Sequence, residues 1–503
     1  MNQYGKTPSL WLDTQPSATY PAMTADVSVD VAIIGAGITG LTLATLLKEA
    51  GQTVAVIEMA SVGSGVTGRT TAHITEIVDG RYQTLISNFG EEGARLIADS
   101  SRSAIDSISE RVQRKHIDCD FQRVSGYLYT EFQEKVKEIE SEVEAAQKCG
   151  VTCELTHSVP LPFPVQTALK VDNQAEFHPL KYLAALAKDI PGAGSHLFEE
   201  THVESFEDGE PCRVITNHGI VTARSIVLAT HTPLGLNISL QTRVTAYRSY
   251  VIAVHLENQD VPVGLFWDTE DPYNYIRSYD DLVIIGGRDH KTGQDEEAES
   301  RYDELEAYAR VHFNVRDVAY RWSAQVYEPV DAAPYIGKNP GSEHVYVATG
   351  YGGNGMTYGT IAAHLLADLL LEHANRWSEV YDPARFKPLA SAGDFIKENI
   401  NVAEHLVADR FAAPDANTLS EVSAGQGKIV EINGEKVAAY RSPDGSLHLL
   451  APQCKHMGCL VQWNNAENTW DCPCHGGRYS SLGEVIEGPP TSNLDAKTIN
   501  EAR

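Results

Sequence analysis

The chain has 503 residues, too many for one ordinary domain, and 42% of them are hydrophobic, so two or three packed domains are expected. Its 68 acidic residues against 40 lysines and arginines give a formal charge of −28. That balance argues against a nucleic-acid partner and against adhesion to an anionic membrane surface. No apolar run has the length of a transmembrane segment, and the polar stretch Met1 to Pro21 lacks a signal core, so a soluble, cytoplasmic protein is expected.

In chain order, Asp26 to Glu58 reads as β-α-β. Val27 to Ile34 is strand-like in its Val and Ile content, and Ile38 to Ala50 has helical spacing at Leu43, Leu46, Leu47 and Ala50. Gly51 is a stop signal, and Thr53 to Ile57 a second strand. A Gly/Ser/Thr loop follows from Ser61 to Thr71, then helices over Tyr82 to Arg114 and Glu131 to Lys148. Arg243 to Leu256 and Leu265 to Gly287 are rich in Val, Ile and Tyr and predict an antiparallel sheet. Val345 to Thr349 is again strand, and Met356 to Glu372 helix. Beyond Leu389 the composition shifts. Asp394 to Phe411 reads as an amphipathic helix and Ala412 to Ser420 as a linker. Short strands then turn at Asn433-Gly434 and Pro443-Asp444-Gly445.

The segment Gly35-Ala-Gly37-Ile-Thr-Gly40 fits G-x-G-x-x-G between a strand and a helix. Gly35 allows the tight turn, Gly37 lets a pyrophosphate approach the backbone, and Gly40 lets helix and strand pack closely. Glu58 ends the next strand, where a carboxylate accepts both ribose hydroxyls. The glycine triplet alone does not separate FAD from NAD. The loop Ser61 to Ala72 carries Arg69, Thr70 and Thr71. With Thr201-His-Val203, Ile226 to Thr230, Pro334-Tyr-Ile-Gly337 and Ala348-Thr-Gly350-Tyr-Gly-Gly353-Asn-Gly355-Met356, it resembles FAD-dependent oxidoreductases of the glycine oxidase and D-amino-acid oxidase type, over roughly Val29 to Leu371. The resemblance implies that Glu58 binds ribose, that Val203 lies by the adenine, and that Gly350 to Met356 lies by the flavin ring. It places Arg69, Thr70, Thr71 and Thr230 at the cofactor too. Gly350 to Gly355 also fits G-x-G-x-x-G, but no strand ending in an acid follows, so a second nucleotide site is rejected. A covalent flavin link is not supported, because Arg69 stands where some relatives carry the linking His.

Eight cysteines are present. Cys119, Cys149, Cys153 and Cys212 are scattered, whereas Cys454, Cys459, Cys472 and Cys474 cluster with two histidines. Cys454-Lys-His456 and Cys472-Pro-Cys-His475 each pair a thiolate with an imidazole, as a Rieske [2Fe–2S] centre needs: Cys454 and Cys472 for one iron, His456 and His475 for the other. Tetrahedral zinc is the alternative, although its pairs more often read C-x-x-C and H-x-x-H. Cys-x-His-x-Gly-Cys, Cys-Pro-Cys-His-Gly and Gly488-Pro489-Pro490 resemble Rieske domains. That resemblance implies a disulfide between Cys459 and Cys474, the alternative being two buried thiols. Gly477 stands where many high-potential relatives have Ser, and Tyr479 keeps their Tyr. A lost donor to a cluster sulfur implies a potential in the middle or lower part of the roughly −150 to +300 mV range, and a Gly477→Ser change is expected to raise it.

The expected fold is an α/β, Rossmann-like FAD-binding domain with an antiparallel-sheet substrate domain, plus a C-terminal all-β Rieske domain. Residues 1–392 form the oxidoreductase body, with FAD-binding parts at about 26–85, 155–240 and 325–390 and substrate-domain parts at about 86–154 and 241–324. Residues 393–417 are a linking helix and linker, and 418–503 the Rieske domain. The implied activity is oxidation of a small amine or amino acid, with electrons passing from FAD to the cluster and on to an unidentified acceptor. An electron-transfer component serving a separate redox enzyme is the alternative. No acid/base dyad stands out. Tyr247, Arg248, Tyr275, Arg277, Arg288 and His290 are candidates on the substrate sheet, an Arg being suited to clamp a carboxylate. The segment Gly286 to Gly293 suggests a loop near the flavin.

Overall fold

The computed structural model describes residues 7–15, 18–235, 238–295, 297–385, 400–402, 405–406 and 412–498. The expected helix over 394–411 lies for the most part outside them.

The first sheet is built from short apolar strands. Val27–Ile34 lies at its centre, parallel to Val54–Ile57 on one side and to Gly219–Leu228 on the other. His196–Phe198 and Val345–Thr349 extend it in parallel, and Tyr335–Lys338 closes one edge antiparallel. Both faces are covered, so the strands read as continuous hydrophobic runs instead of alternating. The helix Ile38–Glu49 starts at Gly37 and packs against the helix Gly355–Leu370. Gly359 makes that approach possible, since a Cβ there would sit 2.7 Å from Ile38 Cγ2.

The second sheet has nine strands. Its long members, Val244–Leu256, Leu282–Lys291 and Val315–Pro329, pair antiparallel. The helix Tyr82–Lys115 is broken at Gly90, whose φ of 73° is left-handed.

Two small antiparallel sheets form the C-terminal domain. The turn expected at Asn433-Gly434 joins Gly427–Ile432 to Glu435–Arg441, with positive φ at both turn residues. The buried Arg478–Asp471 pair, 3.0 Å apart, ties two of its strands. This domain packs onto the oxidoreductase body. His202 Nε2 lies 2.7 Å from the Thr491 carbonyl oxygen, and Tyr302 OH donates to Glu467 Oε1 at 2.8 Å. Among the described residues, no helix is long and apolar enough to cross a membrane.

Candidate functional site

One large cavity runs from the C-terminal end of the Val27–Ile34 strand to the second sheet. At one end the glycine fingerprint shapes it. Gly35 has φ +107°, and a Cβ there would meet the Ala229 carbonyl oxygen at 2.5 Å. A Cβ at Gly40 would stand 2.0 Å from the Gly35 carbonyl oxygen, so only glycine lets the helix cross here. Gly37 leaves the first turn of the helix open toward the cavity. Glu58 accepts from Ala36 N at 2.8 Å and Ala60 N at 3.0 Å, which aims its carboxylate into the same space. Burial raises its pKa, and the two backbone donors oppose that rise. Val203, Thr230, Arg69, Thr70 and Thr71 line the walls.

Further along, Gly353, Gly355 and Met356 line the cavity, while Gly350 packs behind it against Pro329 and Val244. Asp79 accepts from Gly353 N, and Tyr327 O accepts from Gly352 N at 2.9 Å, so the glycine segment is held from both sides. His73, also at the wall, is neutral: burial lowers its pKa to about 3. A glycine-lined cradle opening on a helix N-terminus, with an acid at the neighbouring strand end, suits a dinucleotide. Residues of the C-terminal domain, among them Val485, Glu487 and Pro490, close part of the same cavity.

In that domain, two loops converge. Cys454 and Cys472 are buried and unbridged, whereas Cys459 and Cys474 form a disulfide with Cα atoms 6.5 Å apart. The Sγ atoms of Cys459, Cys472 and Cys474 lie within 4.8 Å of one another, but the bridge removes two of the three as ligands. The His456 and His475 rings stand 4.8 Å apart, and both Nδ1 atoms are buried without a hydrogen-bond partner. Burial lowers their pKa values to about 4 and about 3, leaving neutral imidazoles. Two thiols and two orphaned imidazole nitrogens match the donor set of a Rieske cluster. Tyr479 OH accepts from Lys455 N at 2.9 Å, which leaves its own proton for Cys454 Sγ at 3.2 Å.

Residues 30–369 match the family model described as FAD dependent oxidoreductase. The chain belongs to that family. Residues 414–498 match the Rieske [2Fe-2S] domain. The two cofactors are therefore FAD and a [2Fe–2S] cluster, and the protein is a FAD-dependent oxidoreductase with a fused Rieske domain. Among its relatives is the "Putative Rieske 2Fe-2S iron-sulfur protein YhfW" of Bacillus subtilis (strain 168), 36% identical over 96% of each chain. The gamma-glutamylputrescine oxidoreductase of Escherichia coli (strain K12) is 25% identical over 72% of this chain and 88% of its own. The crystal structure of glycine oxidase from Geobacillus kaustophilus superposes with a TM-score of 0.61 at 18% identity, covering 72% of this chain and 99% of that one. At that identity the likeness concerns the fold alone.

Of the six candidates on the substrate sheet of this oxidoreductase, Tyr275 lines the cavity and the other five do not. Arg277 donates to the carbonyl oxygens of Thr71 and Ala72, so it ties down the flavin-side loop instead of facing a substrate. Arg248 is buried toward Ser323 and Glu487, Arg288 lies by Glu304, and His290 stacks on Tyr250. Tyr247 lies on a strand flanked on both sides, opposite Lys291 and Val326. Sequence reasoning did not single out Ser249, Trp267, Tyr273, Asp289, Gln325 or Tyr327, all of which line the cavity. Asp289 falls in the Gly286–Gly293 segment, which was the one signal pointing to it. Gly477 has a reason of its own: a Cβ would lie 2.7 Å from Pro490 Cδ, so a serine there requires the Pro490 segment to move.

Proposed function

We propose that the protein oxidises a small amine or amino acid at its flavin and passes the electrons, one at a time, to the fused cluster and on to an external acceptor. One observation carries this reading: the cluster-binding loop is seated on the wall of the flavin cavity. Tyr327 OH donates to the His475 carbonyl oxygen at 3.1 Å, and Gln325 Nε2 donates to that of Gly476 at 2.9 Å. Both side chains line the cavity. A Cβ at Gly476 would lie 2.4 Å from Ala246 Cβ, and its φ of +72° likewise favours glycine. The loop therefore approaches the sheet as closely as a backbone can.

On the other loop, His456 Nε2 lies 3.0 Å from Gln241 Oε1. Gln241 is itself oriented by the Gly235 carbonyl oxygen, which accepts from its Nε2 at 2.7 Å. With Nδ1 reserved for iron, Nε2 donates, and this second bond orients the ring. The histidine side of the site thus faces the oxidoreductase body. FAD supplies a two-electron acceptor for the substrate, and the cluster a one-electron carrier. The chain's own contribution is to hold the two sites against a shared wall at Gln325 and Tyr327. The likeness to an oxidoreductase named for gamma-glutamylputrescine supports an amine or amino-acid substrate.

Anaerobic mixing of the holoprotein with amines, amino acids and NADH tests this, with the flavin and cluster absorbances followed separately. Flavin bleaching by amines or amino acids, followed by cluster reduction, is expected. Bleaching by NADH alone would instead favour an electron-transfer component.

A further inference from the structure

The substrate end of the cavity rests on an irregularity in the second sheet. Strands Val244–Leu256 and Leu282–Lys291 pair in register except between Arg248 and Tyr250, where the ladder shifts. Opposite, Arg288 has φ +59°, a left-handed conformation uncommon for a residue with a side chain. Bulges of this kind re-aim side chains beside active sites. Here the extra residue falls on the Leu282–Lys291 strand; it turns Asp289 to the cavity face that Ser249 already occupies and sends Arg288 away, toward Glu304 and over the Tyr308 ring.

The electrostatics of that end are one-sided. Asp289 Oδ1 is closed to solvent and has no hydrogen-bond partner. Ser249 Oγ lies 2.8 Å from Tyr275 OH, and the hydroxyl acts on the Asp289 carboxyl to lower its pKa. Among the described residues, the charge that acts on Asp289 is another acid, Asp79, which itself has Arg81 nearby. Burial and these two acids hold the Tyr273 and Tyr275 phenols protonated. Arg69 is the one cation in the lining among the described residues; its Nε and Nη2 have no hydrogen-bond partner, and the charges that act on it are Glu467, Glu487, Arg248 and Arg478, not Asp289 or Asp79. A substrate carboxylate placed beside Asp289 would face that acid with no cation acting on it, a costly burial. An ammonium would pair with the carboxylate where it lines the cavity, through a charge-assisted hydrogen bond. The faces of Trp267, Tyr273 and Tyr275 would favour the same cation.

We propose that Asp289, positioned by Ser249, anchors the substrate's ammonium group, and that the substrate is an aliphatic amine without an α-carboxylate. This inference rests on the oxidation reading above and narrows it.

The test compares n-butylamine with norvaline, which is the same chain bearing an α-carboxylate. Each is titrated anaerobically into the full-length holoprotein at pH 8. Perturbation of the flavin spectrum reports binding, and bleaching reports oxidation. The wild type is expected to bind n-butylamine at least tenfold more tightly than norvaline. Asp289→Asn should weaken n-butylamine binding by roughly 10- to 100-fold, the loss of one charge-assisted contact. The thermal midpoint and the flavin content of the variant check its fold, and Ser249→Ala, which keeps the carboxylate, should weaken binding several-fold. Norvaline binding as tightly as n-butylamine, or an unchanged amine affinity in Asp289→Asn, overturns the proposal. Bleaching by norvaline and not by n-butylamine overturns it while leaving the oxidation reading intact. Neither compound bleaching, with the binding preference present and lost in Asp289→Asn, upholds the ammonium site and removes the oxidation reading.

Discussion

Replacing Tyr479 by Phe isolates one hydrogen bond at the cluster. The phenol is buried, donates to Cys454 Sγ at 3.2 Å and accepts from Lys455 N at 2.9 Å. A hydrogen bond to a charged acceptor contributes about 1.5–3 kcal/mol. Only the part that differs between the oxidised cluster and the reduced, more negative one moves the potential. If that part is about half the bond, it is roughly 1 kcal/mol, and for one electron this corresponds to about 45 mV. The Tyr479→Phe potential should therefore fall by about 30–60 mV, taking the same conversion over roughly 0.7–1.4 kcal/mol. The stranded Lys455 N–H is present in both redox states, so it lowers stability by about 1–3 kcal/mol without moving the potential. Spectroelectrochemical titration of the cluster in the full-length holoprotein reads the first effect, and thermal unfolding the second. An unchanged or raised potential, with the cluster intact by its visible spectrum, refutes the argument that this phenol stabilises the reduced form.

Three further outcomes follow from the cavity. Gly40→Ala places a Cβ 2.0 Å from a backbone oxygen, so it should cost at least about 2–3 kcal/mol and release FAD, measured by thermal unfolding and flavin content. Glu58→Ala removes the carboxylate expected to accept the ribose hydroxyls and frees two backbone donors. FAD affinity should fall by roughly 30- to 1,000-fold, about 2–4 kcal/mol, in an apoprotein titration. For a cationic amine, kcat/KM should rise as pH increases through about 7, because burial lifts Asp289 to about 7 and only its carboxylate form attracts the ammonium. Facing it are Asp79, Glu328, Tyr273, Tyr275, Ser249 and the neutral His73, with Arg288 and His290 as chain neighbours. Asp289→Asn should flatten that rise, and a rise that persists in the variant assigns it to another group.

What could be read from the chain alone was chemistry written into contiguous segments. Gly35, Gly37, Gly40 and Glu58 are one β-α-β unit, whose geometry is set by the backbone freedom of glycine and by the strand length before the acid. Cys454, His456, Cys472 and His475 lie on two short loops whose mixed pairs already select the donor set. The residues missed are of another kind. Asp289 would point away from the cavity in a regular ladder, and only the extra residue opposite Ser249 turns it to the face that Ser249 already occupies. Arg277 looked like a carboxylate clamp because residue type does not say which way a strand residue points. In the fold it serves the Thr71 and Ala72 carbonyl oxygens. Gln325 and Tyr327 are ordinary positions on a long strand until the Gly476 loop, some 150 residues away in the chain, is laid against them. The sequence by itself therefore determined which cofactors the protein holds, since each is gripped by local backbone and spaced ligands. Only the tertiary structure decided how the two sites share a wall and which charges line the cavity, because register, bulges and domain packing are properties of segments meeting, not of any segment alone.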